Sequence, residues 1–211
     1  MSVTLPVFSI ERHRLVTDGQ GVTTLVGAYG CPLQCRYCLN PHAWNPATLD
    51  RCVHMTPEQL YDRVKIDALY FLATGGGVTF GGGESLLHAP FIAAFRQICG
   101  PDWHLGVETS LHVPAQNLRQ VIGIVNEFIV DIKDMDETVY ESYTGQPQAP
   151  LRDNLQLLAA SVPAEQVQIR IPRIPSYNTE QNIQASLAWL REQGFTRLGV
   201  FDYIVRPRNQ K

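Results

Sequence analysis

The chain has 211 residues, of which 45% are hydrophobic and 18% are charged, and its formal net charge is −3. These values are ordinary for one globular domain with a substantial core, and they give no bulk attraction to nucleic acid or to anionic membranes. The sequence shows no apolar run of membrane-spanning length and no signal-peptide pattern at its start. We therefore expect a single domain in the reducing cytoplasm, with no membrane and no nucleic-acid partner.

The first 22 residues are expected to be irregular or edge structure, and after them the predicted elements alternate between strand and helix. We divide the chain into an N-terminal edge segment at 1–22, a β/α core at 23–206 and a tail at 207–211. Alternation of this kind predicts a parallel α/β sheet, and six units are too few to close an eight-stranded barrel. The apolar patterns predict strands at 23–29, 78–80, 104–109, 127–133, 166–171 and 197–205, and helices at 56–73, 88–99, 114–124, 136–143, 151–161 and 178–193.

The first core strand leads into Cys31-Pro-Leu-Gln-Cys35-Arg-Tyr-Cys38, which places three thiols within eight residues. Thiolates are soft ligands, and an iron–sulfur cube takes one for each of its four irons. Three thiolates leave one iron open or require a fourth ligand from elsewhere. A zinc knuckle and unrelated thiols are the alternatives. However, Cys52 and Cys99 are isolated and form no second zinc pair, and an odd number of cysteines disfavours a disulfide framework.

Polar residues follow several of the later strands. The run Gly81-Gly-Gly-Glu84 lacks the spacing of a phosphate loop, but its glycines permit a close approach to a ligand. The third strand ends in Glu108 and Thr109, and the fourth ends in Asp131-Ile-Lys133. Buried charges are costly unless they are paired, so we expect these residues at the open end of the sheet. The simpler interpretations are that the glycine run is a bare loop, that Glu108 is a solvated acid at the rim, and that Asp131 and Lys133 form a salt bridge at the strand end.

These motifs resemble those of known families. The cysteine pattern, with an aromatic residue before its last cysteine, is similar to that of the radical S-adenosylmethionine (SAM) superfamily. Together with Asp18-Gly-Gln-Gly21, Gly-Gly-Glu84 and Asp131-Ile-Lys133, it resembles the activating enzymes of glycyl radical enzymes, of the pyruvate formate-lyase activase type. The likeness runs from about residue 10 to about residue 183. It implies a partial, open parallel β/α barrel of about six strands, with its site at the C-terminal strand ends.

The resemblance also implies roles for individual residues. A [4Fe–4S] cluster would be held by Cys31, Cys35 and Cys38, with SAM on the open iron. Asp18 and Gly19 would lie near the target glycine of the substrate, and Glu108 with Asp131 would bind a monovalent cation. Gln20 stands where the family has Pro, and Glu108 where it has Asp. The residues implied to surround SAM are Tyr37, Gly82, Gly83, Glu84, Thr109, Asp131, Lys133 and Arg170.

The implied function is that of an anaerobic oxidoreductase. It would cleave SAM reductively to a 5′-deoxyadenosyl radical, which takes a hydrogen atom from a glycine of a partner glycyl radical enzyme. The resemblance implies a flavodoxin- or ferredoxin-type electron donor, and we expect a monomer. The last strand lacks the family's histidine, and Asp202 and Tyr203 are the candidates to replace it. The alternatives are a radical SAM enzyme acting on a small molecule such as a deazapurine, a cluster-carrying electron-transfer protein and a zinc module.

Overall fold

The computed structural model describes residues 3–15 and 17–205, and these form a single sheet of eight strands with helices between them. The predicted tail at 207–211 and the last core residue lie outside the described residues. The strands are β1 (Leu5–Arg14), β2 (Thr23–Ala28), β3 (Val53–Met55), β4 (Gly77–Gly82), β5 (His104–Thr109), β6 (Glu127–Asp131), β7 (Val167–Arg173) and β8 (Arg197–Asp202). The helices are α1 (Pro46–Leu49), α2 (Pro57–Val64), α3 (Ala68–Thr74), α4 (Ala89–Cys99), α5 (Ala115–Val121), α6 (Glu137–Thr144), α7 (Ala149–Ser161) and α8 (Glu180–Glu192).

Six of the strands are parallel, in the order β2-β4-β5-β6-β7-β8. They correspond one to one to the six strands expected from the sequence, and the predicted α/β fold with an open parallel sheet is confirmed. β8 forms one edge of the described sheet. In a parallel sheet all carboxyl ends meet at one edge, so the loops that follow these strands gather in one place.

Two further strands extend the sheet beyond β2 and were not predicted. β1 pairs antiparallel with β2, with Val7 opposite Ala28, and β3 pairs antiparallel with β1. The charged run from Glu11 to Arg14 hides the strand character of β1, because it interrupts the alternation of apolar and polar residues. Most of the described part of the segment 1–22 is therefore regular strand.

The helix predicted over 56–73 is wrong as a single element. α2 begins at a capping box between Thr56 and Gln59, but it ends at Val64, and a 3₁₀ turn precedes α3. The buried Asp67 lies in that turn and accepts a hydrogen bond of 2.7 Å from Arg12 of β1. The break follows from this pairing, since a buried carboxylate needs a partner. No helix in the described part of the chain is long and apolar enough to cross a membrane.

The two faces of the sheet differ in character. On β4, Phe80 packs against Phe91 and Phe95 of α4, with ring centroids 6.2 and 5.5 Å apart, and forms part of the apolar core. Thr79 alternates to the opposite, concave face. There its hydroxyl donates a 2.5 Å hydrogen bond to the backbone carbonyl of Asp18 in the β1–β2 loop. The β1–β2 loop thus crosses the concave face and is bonded to it at Thr79.

Candidate functional site

A cavity of about 760 Å³ opens at the carboxyl ends of the parallel strands. Its size is that of a small-molecule or cofactor site, and its position is the usual one for an open α/β sheet. All but two of the site residues expected from the sequence line it, namely Asp18, Cys31, Cys35, Cys38, Gly82, Gly83, Glu84, Glu108, Thr109, Asp131, Lys133 and Arg170.

The two exceptions are Tyr37 and Gly19. The Tyr37 ring packs edge-on against Tyr143 and Tyr177, with centroids 6.2 and 5.7 Å away, instead of lining the cavity. Gly19 lies beneath the cavity, where a Cβ would be 3.4 Å from Glu127 Oε2. Both residues therefore support the wall or the floor of the cavity.

The cysteine loop leaves β2 through Gly30, whose φ of +111° is available to glycine at little cost. The backbone amides of Gln34 and Arg36 donate to the carbonyls of Thr144 and Tyr143, at 3.0 and 3.1 Å. Those two carbonyls lie at the C-terminal end of α6, where no amide within the helix can bond to them. The amides of the cysteine loop therefore supply the hydrogen bonds that the helix end lacks. The loop is held as one wall of the cavity, and all three of its cysteines line that cavity.

The donor set of this loop fits a cluster of soft metal ions. All five cysteines of the chain are free thiols. Burial raises the pKa of Cys31 to about 12, and the negative charge of Glu84 adds a smaller effect in the same direction. Burial also raises the pKa of Cys35. Such thiols stay neutral near pH 7 unless a metal ion displaces their protons. Within residues 3–15 and 17–205, no three His, Cys, Asp or Glu side chains are arranged to hold a single metal ion.

Gly82, the last residue of β4, and Gly83, which follows it, are both required by close packing within the protein. A Cβ at Gly83 would lie 2.2 Å from the carbonyl oxygen of Gly30, and one at Gly82 would lie 2.7 Å from Phe8 Cζ. The amide of Glu84 also donates to the Gly30 carbonyl at 2.7 Å. We expected these glycines to admit a ligand, but at Gly82 and Gly83 the close neighbour is the protein itself. The two loops therefore form one rigid wall.

The Glu84 side chain joins the ends of β4 and β5. Its carboxylate is fully buried and accepts hydrogen bonds from Thr109 Oγ1 at 2.6 Å, from the amide and hydroxyl of Ser110 at 2.8 and 2.6 Å, and from the amide of Leu86 at 3.1 Å. Burial raises the pKa of Glu84, and these hydrogen bonds oppose the rise. The carboxylate is thus saturated within the protein, and Thr109 holds Glu84. Backbone atoms remain to face a ligand here.

Asp131 and Lys133 lie where β6 ends. Lys133 adopts a left-handed φ of +63°, and its Nζ is 3.6 Å from Asp131 Oδ2. Burial lowers the pKa of Lys133, but nearby negative charge, first of all that of Asp131, opposes this effect, and the pKa is raised overall. Asp131 Oδ1 is buried and has no hydrogen-bond partner within the described residues. The predicted salt bridge exists, and it leaves one buried carboxylate oxygen of Asp131 without a partner among the described residues.

Glu108 and Arg170 form a second pair across the cavity floor. Arg170 donates to Glu108 Oε1 at 2.8 Å and also to the carbonyl of Thr17 in the β1–β2 loop. Burial raises the pKa of Glu108 to about 7, although Arg170 opposes the rise. Glu108 is therefore not a solvated rim acid, and one of its oxygens is already paired with a guanidinium. The cation site at Glu108 and Asp131 stays a prediction.

Several residues around the cavity were not assigned a role from the sequence. Asn40 donates to the carbonyl of Gly82 at 3.2 Å, Arg14 binds Asp18 at 2.5 Å, and Ser110 supports Glu84. Ser110 adjoins the strand-end pair Glu108-Thr109, which is the one sequence signal that would have pointed to it. The partners of Asn40 and Arg14 depend on the fold.

The structure also separates the two candidates for the missing histidine. Tyr203 lines the cavity, whereas the Asp202 side chain is 88% exposed and lies 3.6 Å from Arg173. Tyr203 is therefore the one placed to face a ligand.

Comparisons with known proteins agree with this geometry. The family model of the radical SAM superfamily matches residues 25–190. The isethionate sulfite-lyase activating enzyme of Desulfovibrio desulfuricans is 28% identical, over 86% of this chain and 77% of its own. The pyruvate formate-lyase 2-activating enzyme of Escherichia coli is 30% identical, over 86% of this chain and 71% of its own.

A solved structure shares the fold. Streptococcus suis SuiB bound to S-adenosylmethionine superposes with a TM-score of 0.57 at 13% identity, over 86% of this chain and 38% of that chain. This likeness concerns the architecture alone. The family match over most of the chain and the 30% identity to an activating enzyme show the family: the chain belongs to the radical SAM superfamily and, within it, to the activating enzymes of glycyl radical enzymes.

Proposed function

We propose that this protein uses a [4Fe–4S] cluster and SAM to place a radical on a glycine of a partner glycyl radical enzyme. One observation carries the proposal: the three thiols of the cysteine loop, the Gly-Gly-Glu84 loop and the Asp131–Lys133 pair all line one cavity at the strand ends. When they are bound, the cluster and SAM supply a one-electron cleavage that gives methionine and a 5′-deoxyadenosyl radical able to take a hydrogen atom from glycine.

The cluster would be held by Cys31, Cys35 and Cys38. Their arrangement on a loop pinned to α6 supports this, because three fixed thiolates leave one iron for another ligand. Cys31 and Cys38 are partly exposed, which favours a cluster close enough to the surface to receive an electron. We propose a flavodoxin- or ferredoxin-type donor for that electron, and we propose that the enzyme works as a monomer.

SAM would lie against the other walls of the cavity. The charged Lys133 suits its carboxylate, and the Oδ1 atom of Asp131, which has no partner among the described residues, suits a cationic or hydrogen-bond-donating group. Tyr37 would act indirectly by packing against the loop. We propose that Glu84 and Thr109 position the backbone of the wall and do not bind SAM with their side chains, because their polar atoms already bond to each other.

The protein's remaining task is to bind a partner loop and to keep water away from the radical. The floor beneath the cavity consists of Asp18 and Gly19, with Arg170 and Glu108 beside them. A loop of a partner enzyme that enters the cavity would meet this floor, which supports a substrate role for Asp18 and Gly19. The named relatives activate glycyl radical enzymes, so the proposed partner is of that class.

The test is anaerobic reconstitution of the protein with iron and sulfide, followed by measurement of bound iron and of 5′-deoxyadenosine formed from SAM. Alanine at Cys31, Cys35 or Cys38 is expected to abolish cluster binding and SAM cleavage. The matched controls Cys52→Ala and Cys99→Ala should retain both. Cleavage that survives the loss of any loop thiol, or an iron-free wild type, would overturn the proposal.

A further inference from the structure

The loop that carries the three cysteines is tied to the far end of the sheet by a tyrosine. Tyr203 follows β8, and its hydroxyl donates a hydrogen bond of 2.8 Å to the backbone carbonyl of Tyr37, which lies 166 positions earlier. Because the cysteine loop follows β2 and β8 is an edge strand, this bond reaches across the top of the open barrel. We propose that Tyr203 is a positioning residue for the cluster, acting through the peptide between Tyr37 and Cys38.

The placement of Tyr203 is fixed by its own surroundings. Its amide donates to the carbonyl of Arg173 at 3.0 Å, which continues the pairing of β7 with β8 by one residue. Its ring meets Tyr143 edge-on, with centroids 6.3 Å apart, and Tyr143 in turn packs against Tyr37 and Tyr177. Edge-on aromatic pairs of this kind are stabilising beyond their buried area. The hydroxyl is therefore aimed by backbone and by packing together.

The peptide that Tyr203 holds is bonded at both ends. Its carbonyl, on Tyr37, accepts from Tyr203, and its amide, on Cys38, donates to the carbonyl of Cys35 at 3.2 Å. A peptide unit is planar, so fixing its carbonyl and its amide fixes the plane from which the Cys38 side chain departs. Loss of the Tyr203 hydroxyl would free one end of that plane. Cys38 would then be held less firmly toward the other two thiols.

The remaining supports of the loop come from a different element. Gln34 and Arg36 give their amides to the end of α6, so they hold the middle of the loop and leave the Tyr37 carbonyl to Tyr203. Tyr203 also lines the cavity beside Cys38 and Lys133, where its ring would meet a ligand. Substitution by phenylalanine separates these two roles, because it removes the hydroxyl and keeps the ring.

The experiment compares the wild type with Tyr203→Phe and with the control Tyr177→Phe. Tyr177 belongs to the same aromatic group, but among the described residues no hydrogen bond joins its hydroxyl to the cysteine loop. In reconstituted protein, a chelator should remove iron about two- to tenfold faster from Tyr203→Phe, as expected for one lost hydrogen bond. The paramagnetic signal of the reduced cluster should change shape in Tyr203→Phe alone.

A second measurement uses protein without a cluster. Amide hydrogen exchange of the peptide covering residues 31–40 should be faster by a similar factor in Tyr203→Phe and unchanged in Tyr177→Phe, at equal melting temperatures. The inference rests on the proposed function for its cluster readouts, but the exchange readout does not. If Tyr203→Phe loses iron to the chelator and exchanges its amides at the wild-type rates, the inference about Tyr203 is overturned. If the wild type binds no iron, the proposed function is overturned, and the exchange comparison alone decides whether Tyr203 holds the loop.

Discussion

The substitution Glu84→Gln tests whether this residue anchors the wall of the cavity or binds the cofactor. Its buried carboxylate accepts four hydrogen bonds, two on each oxygen. Glutamine keeps the volume and one acceptor oxygen, but an NH₂ group replaces the other oxygen. That NH₂ group is a donor, and it would point at the two groups that donated to the oxygen it replaces. Seen from the structure, the amide and hydroxyl of Ser110 would face the new NH₂ group.

The magnitude follows from those contacts. Hydrogen bonds to a charged group contribute about 1.5–3 kcal/mol each, and a buried donor left unpaired costs about 1–3 kcal/mol. Removing the buried charge relieves part of this, since burial already raises the pKa of Glu84. We expect Glu84→Gln to lower the free energy of unfolding by about 2 kcal/mol, and Glu84→Ala by about 3–5 kcal/mol because it leaves all four donors unpaired.

Equilibrium unfolding in urea, without the cluster, measures this loss. Glu192→Gln at the exposed end of α8 is the control and should stay within about 0.5 kcal/mol of the wild type. SAM binding to reconstituted protein is measured in parallel. A Glu84→Gln protein as stable as the control that no longer binds SAM would refute the anchoring argument, because the side chain would then act on the cofactor directly.

Two further predictions use the same assays. Gly82→Ala should lose more than about 3 kcal/mol of stability together with SAM binding, because a Cβ there would lie 2.8 Å from the Gly27 backbone. The control Gly145→Ala has a similar positive φ but open space around it, so it should lose only about 1 kcal/mol. Equal losses of stability in the two variants would contradict the packing argument. For Glu108, the raised pKa of about 7 means that its contribution to stability is complete below its ordinary pKa of 4.5 and is lost as the pH rises to about 7. Relative to Glu108→Gln, the wild type without ligands should therefore lose up to about 3 kcal/mol across that window, and parallel pH profiles of the two proteins would show that Glu108 does not titrate as argued.

The parallel core could be predicted because its strands are apolar and β-branched and its turns carry glycine. The third strand, His104–Thr109, has the predicted bounds in the structure, and Gly75 ends α3 in a left-handed conformation. β1 was missed because Glu11 and its basic neighbours resemble a surface loop. The break at Asp67 was missed because its partner, Arg12, lies 55 residues away.

The candidate site divides in the same way. The spacing of the cysteines places Cys31, Cys35 and Cys38 on one loop, and the strand ends place Asp131 and Lys133 beside it. The pairings inside the cavity depend on strand register, which the sequence does not state. Arg170 and Glu108 are 62 positions apart.

The same limit applies to Glu84 and to the glycines. Three of the four hydrogen bonds to Glu84 exist only because β5 runs beside β4. The tight fit of Gly83 likewise depends on the position of Gly30 across the fold. Composition and local pattern identify the residues of the site, whereas the partner of each polar atom requires the fold.

The β1–β2 loop has one more consequence. The carbonyls of Thr17 and Asp18 accept hydrogen bonds from β7 and β4, so main-chain atoms close the lower end of the chamber. In the proposed function, substitutions at exposed lining residues, for example at Leu39 or Phe201, would alter which partner loop is admitted. A loop that entered would stop at these carbonyls and at the Arg170 and Glu108 side chains beside them. A substitution at the entrance would leave this backbone part of the floor in place.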